Sequence, residues 1–449
     1  MKNIDVKFNA IDFDKLNDFD KNYFVNTKNS VVRHALTKND ISSVVYDSKN
    51  EQDTNFDFSI EVKTLPVCNQ KQSGRCWIFA ACNVLRESIA KKLNLENFEI
   101  SQNYIAFYDK LEKSNYLLTS IIDLIKNEPD ERVLMHLLVN GVSDGGQWDM
   151  FVNIVKKYGI VPKNVMKETK QSSGTRESNI LINSLIRQFA ASAQKLYKRG
   201  KEKEIPQLKE NVLFKIYSLL LNAFGIPPKK FDFEFTTKDG KYEIIKDFTP
   251  KSFFKEYVGD TLDDYVSIIN SPTKDKPFFK TYTIEYLNNV VEGKPITHLN
   301  LPMERVKELI IEQLKNGEVV WFGSDVSNYR DREGGLWDDL SYDYMSAFDF
   351  DIKFDKEDML DYHESCMNHA MVLTGVNIKE CVPNRWKIEN SWGPDSGNKG
   401  YYMMSGSWFD SYVYQAVINK KYLSKEELDA LKGTLTKLAP WDPMGTLAD

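Results

Sequence analysis

At 449 residues, with 42% hydrophobic and 28% charged side chains, the chain can bury a large core and is expected to form two or three domains. A formal net charge of −6 argues against nucleic acid or an anionic membrane as a general partner. No run approaches the roughly 18 apolar residues of a membrane span, and the opening MKNIDVKFNAIDFDKL lacks an apolar signal segment, so a cytoplasmic protein without membrane contact is expected.

Residues 1–60 are polar and rich in Asn, Asp and Lys. They read as an N-terminal extension laid over a neighbouring domain. A helical subdomain is expected over 61–165. Within it LPVCNQKQSGRCW is a loop, punctuated by Pro66, Ser73 and Gly74. Ile78, Cys82, Leu85, Ile89 and Leu93 then recur at helical spacing, with Arg86, Glu87, Lys91 and Lys92 on the opposite face. Cys76 therefore falls in the first turn of a helix with one buried side.

A mostly helical insertion is expected over 166–295. Helical patterns run over 179–199 and 207–224, followed by the strand-like FDFEF and KYEII. Residues 163–230 carry 14 Lys and Arg against 5 Glu and no Asp, read as a solvated helix face or a subunit contact. A strand-rich subdomain over 296–422 contains the apolar runs EVVWFGSDV, HAMVLTGVNI, RWKIEN and YYMMS. Between the first two, residues 325–364 hold 13 acids against 4 bases, a soluble surface. Over 423–449, Ser424 and Glu427 form a capping box, Gly433 is a stop, and a tail follows.

The five cysteines, at 68, 76, 82, 366 and 381, show no paired spacing and read as reduced thiols. A thiol attacks well only as a thiolate, which a helix N-terminus and a neighbouring imidazolium both favour. Cys76 has the first. Of five histidines, only His369 begins a strong apolar strand. Alternation in RWKIEN places Trp386, Ile388 and Asn390 on one face and Arg385, Lys387 and Glu389 on the other. Asn390 can then accept the second imidazole proton. His363, Cys366 and His369 recur at ligand-like spacing, but no further ligand pair lies near them. No metal and no cofactor are expected.

QKQSGRCW, NHA (368–370) and ENSWG (389–393) resemble the three active-site blocks of papain-like peptidases. Ser73 stands where the local signature has a cysteine, so the disulfide usual in secreted members cannot form, and Arg75 stands in place of Ser or Ala. The 293 positions from Cys76 to His369 exceed the roughly 130–150 of that signature. Together with GGQWDM, VVWFGSDV and the tail WDPMG, these departures resemble the bleomycin hydrolase and aminopeptidase C branch.

The resemblance implies an α+β papain-like fold, helical subdomain against strand-rich barrel, with a large insertion and a C-terminal tail reaching the cleft. It implies a broad cysteine aminopeptidase that releases N-terminal residues of peptides through a thioester, a possible bleomycin hydrolase activity, and a homohexamer. Position by position, it implies Cys76 as nucleophile, His369 as proton carrier and Asn390 as its orienting group. Gln70 completes the oxyanion hole, and Trp77 and Trp392 support the site. Gly145 and Gly146 bind the substrate backbone, and Ala448 and Asp449 meet the substrate's amine end. An endopeptidase and an oligomeric nucleic-acid binder with incidental peptidase activity are the competing readings.

Overall fold

The computed structural model describes residues 10–49, 55–331 and 334–448. The chain forms two compact units, one of Met1–Thr54 with Asp338–Phe354 and one of Asn55–Trp337 with Asp355–Asp449. In the first, Asp12 caps the helix Phe13–Val25 by accepting from the Lys15 N–H, and Asn26 caps Thr27–Leu36 from the Lys28 N–H. Neither helix buries a residue. The shorter helix Ile41–Val45 buries only Val45, and Asp47 N–H donates to Ser341 O at 2.9 Å.

The second unit carries a set of helices and one large sheet. The helix Cys76–Lys92 starts where the loop predicted it would. Ser101 caps the 22-residue helix Gln102–Asp123 by accepting from the Tyr104 N–H. The expected helical pair is present as Arg176–Lys198 and Ile205–Phe224. Ile182, Ile186, Phe189 and Ala193 on the first, and Val212, Ile216, Leu220 and Phe224 on the second, are buried at steps of three and four. That stripe is what the periodicity encodes, and each large side chain buried there contributes roughly 1.5–3 kcal/mol. FDFEF and KYEII form the two-stranded sheet Phe231–Thr236 with Tyr242–Phe248.

Among the described residues the large sheet has eleven strands. At its centre Val320–Ser324 runs antiparallel to His369–Lys379, which pairs in turn with Val382–Glu389 and then Tyr401–Ser405. The first eight residues of His369–Lys379 are all buried. A strand covered on both faces reads as a continuous apolar run, which accounts for HAMVLTGV. Strands Tyr265–Ile269 and Thr281–Ile284, from the stretch read as insertion, pair into this sheet, and Ile60–Glu61 pairs with His369–Lys379. The Ser424–Glu427 capping box is formed as read. The fold is α+β, as expected. Among the described residues no helix is long and apolar enough to cross a membrane.

Candidate active site

The sulfur of Cys76 lies at the first residue of its helix, buried at 4% exposure. Ala370 N–H points at it from 3.4 Å, so the helix starting at Cys76 and the strand starting at His369 meet at this atom. Burial pushes the Cys76 thiol up to about 11, while N–H groups of Ala370 and Trp77 pull it down. Helix and backbone dipoles alone thus do not ionise this thiol. A thiolate here needs the adjacent imidazole to take its proton.

His369 is the first residue of its strand, in register with Ser324. Its Nε2 lies 2.9 Å from Asn390 Oδ1. An amide oxygen only accepts, so Nε2 carries a proton and Nδ1 is the basic nitrogen of the neutral ring. Asn390 is fully buried just past the strand Val382–Glu389, and its Oδ1 also accepts from Ser391 N–H at 2.8 Å. Trp392 stacks on the imidazole, ring centres 5.0 Å apart and planes at 26°. That places an apolar face over the His369–Asn390 bond.

Gln70 is tied to the same corner. Its N–H donates to Ser391 O at 2.8 Å, its Oε1 accepts from the Ser391 hydroxyl, and its Nε2 donates to Ser73 O at 2.7 Å. The loop before Cys76 and the loop after Asn390 are thereby stitched together. One N–H of the Gln70 amide is used on Ser73, and a primary amide has two.

Two side chains depart from the sequence reading. Arg86, placed on the polar face of its helix, is 0% exposed. It donates to Glu389 at 2.8 Å and to the carbonyls of Leu65 and Pro66. Glu389, placed opposite Asn390 on the outward face, is buried with it and also accepts from Asn83 at 2.8 Å. Helical periodicity shows which face a residue occupies, and here both faces are covered. Arg75, the unusual residue before Cys76, forms a two-bond pair with Glu168 at 3.1 and 3.0 Å.

The tail runs along the residues that follow Asp144. Gly146 N–H donates to Leu447 O at 2.9 Å, and the Ser143 hydroxyl donates to Ala448 O at 2.7 Å. A Cβ on Gly145 would sit 3.0 Å from two backbone atoms of Ala448, and one on Gly146 would sit 2.5 Å from the Trp77 ring. Both glycines are needed for room, one for the tail and one for the indole. On the other side Thr446 donates to Met367 O at 2.8 Å, two residues before His369. Asp449 lies outside the described residues. A cavity of about 60 Å³ next to Ala448 is lined in part by Lys113, Leu137, Ser143 and Leu287.

Sequence reasoning missed the supports beneath this edge. The buried Lys113 ammonium donates to the Gly145 carbonyl, pairs with Asp109 at 2.9 Å, and lies 5.3 Å from the centre of the Trp77 ring. Asp144 accepts from Gly74 N–H at 2.9 Å and from Lys110 at 2.6 Å. The neighbouring Gly145–Gly146 pair was the one local signal that could have drawn attention to Asp144. His363 is exposed at a left-handed turn with φ of 62°. Among the described residues no three His, Cys, Asp or Glu side chains are grouped to hold a metal ion.

A thiol at a helix start, a histidine at the facing strand start and an amide oxygen on its far nitrogen are what a thiol peptidase requires. The model of the Peptidase C1-like family matches residues 10–445, and the chain belongs to that family. It is 46% identical over 442 residues to Aminopeptidase C of Lactobacillus delbrueckii subsp. lactis, covering 98% of each. It is 45% identical to Aminopeptidase C of Streptococcus thermophilus, covering 95% of this chain and 96% of that one. The crystal structure of PepW from Lactobacillus rhamnosis HN001 superposes with a TM-score of 0.95 at 44% identity, over 97% of this chain and 99% of that one.

Proposed function

We propose that this protein is a cysteine aminopeptidase that removes N-terminal residues from peptides. One observation carries the reading: the tail takes the Gly146 N–H, and Gly146 lies against the ring of Trp77, the residue next to Cys76. A tail seated there fills the backbone-binding edge upstream of the thiol. A peptide whose first carbonyl reached Cys76 would then turn its amine toward the tail. The names of the relatives agree with it.

Cys76 gives its proton to His369 Nδ1, and the thiolate attacks the carbonyl carbon of the first residue. The negative oxygen that forms is met by the Cys76 N–H and the second N–H of the Gln70 amide. Imidazolium His369, held by Asn390, delivers its proton to the departing nitrogen. The C–N bond breaks and a thioester on Cys76 remains. His369 then takes a proton from water, whose oxygen attacks the thioester, and the free amino acid leaves as the thiol is restored. Trp392 keeps water off the His369–Asn390 bond, and Trp77 packs beneath Gly146. No step calls for a cofactor.

The finer expectations belong to the same proposal. The five free cysteines support a reducing, cytoplasmic setting. Exposed apolar side chains, among them Phe13 and Phe24 on the first helix and Phe214 on Ile205–Phe224, support self-association, for which the resemblance implies a hexamer. Hydrolysis of the amide in bleomycin-like compounds is a side activity to be tried. The division into an extension, helical subdomain, insertion, strand-rich subdomain and tail is retained as the working description.

Turnover of fluorogenic aminoacyl substrates with a free amine, against the same substrates N-acetylated, tests the reading. Free-amine substrates should be cleaved and blocked ones spared, with a thiol alkylator abolishing turnover. Equal cleavage of both would make the protein an endopeptidase.

A further inference from the structure

Asp144 touches the chain on both sides of the nucleophile. Its carboxylate accepts the Gly74 N–H at 2.9 Å, two residues before Cys76. Its main-chain oxygen accepts the indole N–H of Trp77 at 2.7 Å, one residue after. The same carboxylate is held from beneath by Lys110 at 2.6 Å, by Asn179 at 3.0 Å and by the Thr175 hydroxyl. Next in the chain come Gly145 and Gly146, the edge on which the tail is seated.

Burial works against ionisation of Asp144, but the Lys110 charge and the donated hydrogen bonds outweigh it and hold the carboxyl well below the usual range. The group is an anion, fixed by charge on one side and free to orient a backbone N–H on the other. A Cβ on Gly74 would come within 2.9 Å of Asp144 Cβ, so this close approach also requires a glycine two residues before the thiol. The papain signature has a cysteine at the position of Ser73, one residue from Gly74. Here the same loop is secured by a carboxylate.

We propose, on the peptidase reading above, that Asp144 is a positioning residue. It sets the Cys76 sulfur in register with the Gly145–Gly146 edge by holding the Gly74 turn, and it acts on rate through that register. The bond to Gly74 is separable from the ion pair. Lys110, Thr175 and Asn179 already hold the anion from beneath, and the Gly74 contact is the one that reaches the loop before Cys76.

Two paired substitutions separate the roles. Removing Asp144 alone strands a buried ammonium, so Lys110 is changed with it. Asp144→Asn with Lys110→Met keeps an acceptor for the Gly74 N–H and no charge. Asp144→Leu with Lys110→Met keeps neither. The expected result is a kcat within about threefold of wild type for the asparagine pair, and a loss of roughly 10–100-fold for the leucine pair, as for small displacements of reacting groups. KM should change less than kcat in both. If the leucine pair does not fold, Asp144→Ala with Lys110→Met, which has no acceptor for the Gly74 N–H, takes its place against the same thresholds.

Alkylation of Cys76 by iodoacetamide, followed by mass, gives a readout independent of substrate. Its rate should fall about tenfold in the leucine pair and hold in the asparagine pair. Wild-type protein that alkylates at Cys76 but cleaves no aminoacyl substrate would count against the aminopeptidase reading, and the alkylation comparison would still decide the role of Asp144. A folded leucine or alanine pair with wild-type kcat and wild-type alkylation overturns the proposal.

Discussion

Arg86 and Glu389 meet at 2.8 Å with side chains at most 1% exposed, and they join the helix that starts at Cys76 to the strand that ends before Asn390. Arg86 also reaches the carbonyls of Leu65 and Pro66, on the way to Gln70. One guanidinium therefore fixes three of the segments that carry the site.

Breaking that pair should cost more than either charge contributes, because the remaining partner is left buried without compensation. Arg86→Met is expected to lower stability by about 3–5 kcal/mol. Thermal or urea unfolding of the variant measures this; a change below 1 kcal/mol would show that the pair is not sealed from water.

Gln70 and Asn390 should act on rate beyond any effect on folding. On the proposed mechanism Gln70→Ala removes one oxyanion donor and is expected to lower kcat by about 10²–10³-fold. Asn390→Ala frees the imidazole to turn, and a loss of about 10²-fold in kcat is expected, within the range for removing an acid–base contribution. Steady-state kinetics at pH 7, with unfolding midpoints as a control, check both.

Ser143 secures the tail through Ala448. Ser143→Ala removes one hydrogen bond worth roughly 1 kcal/mol, so the tail should leave the edge more often. Turnover of an N-acetylated peptide is then expected to rise a few-fold over wild type, read as released fluorophore at fixed enzyme concentration.

His298 offers a clean pH dependence. It is 0% exposed, its Nδ1 lies 2.7 Å from the Ser267 hydroxyl, and burial lowers its pKa to about 3. An unfolded histidine titrates near 6.5, so between these values the unfolded state binds the extra proton and stability rises with pH. The contribution is complete above about pH 6.5 and is lost as pH falls toward 3. Between pH 7 and 5 wild type should lose about 2 kcal/mol that His298→Gln retains, measured by urea unfolding at each pH.

Much of this was legible in the sequence because it is local. The loop into the Cys76 helix, the burial stripes of Arg176–Lys198 and Ile205–Phe224, and the Ser424–Glu427 cap are set by spacing and by residue type within a few positions. His369 stood out because its strand is covered on both faces. Arg86 and Glu389 did not, since each looks like an ordinary surface charge until a partner 303 positions away is known. Asp144 was hidden for the same reason, its donors coming from the nucleophile loop and from the helices at Lys110 and Asn179. Strands Tyr265–Ile269 and Thr281–Ile284 are five and four residues long, too short for alternation to mark them apart from the insertion around them.

The most direct test is to find the acyl group. Wild-type enzyme mixed with a free-amine ester or peptide and quenched in acid within milliseconds should show, by intact mass and peptide mapping, one substrate residue added to Cys76, absent in Cys76→Ala. Full product formation with no adduct on Cys76, or activity that persists in Cys76→Ala, would contradict the account.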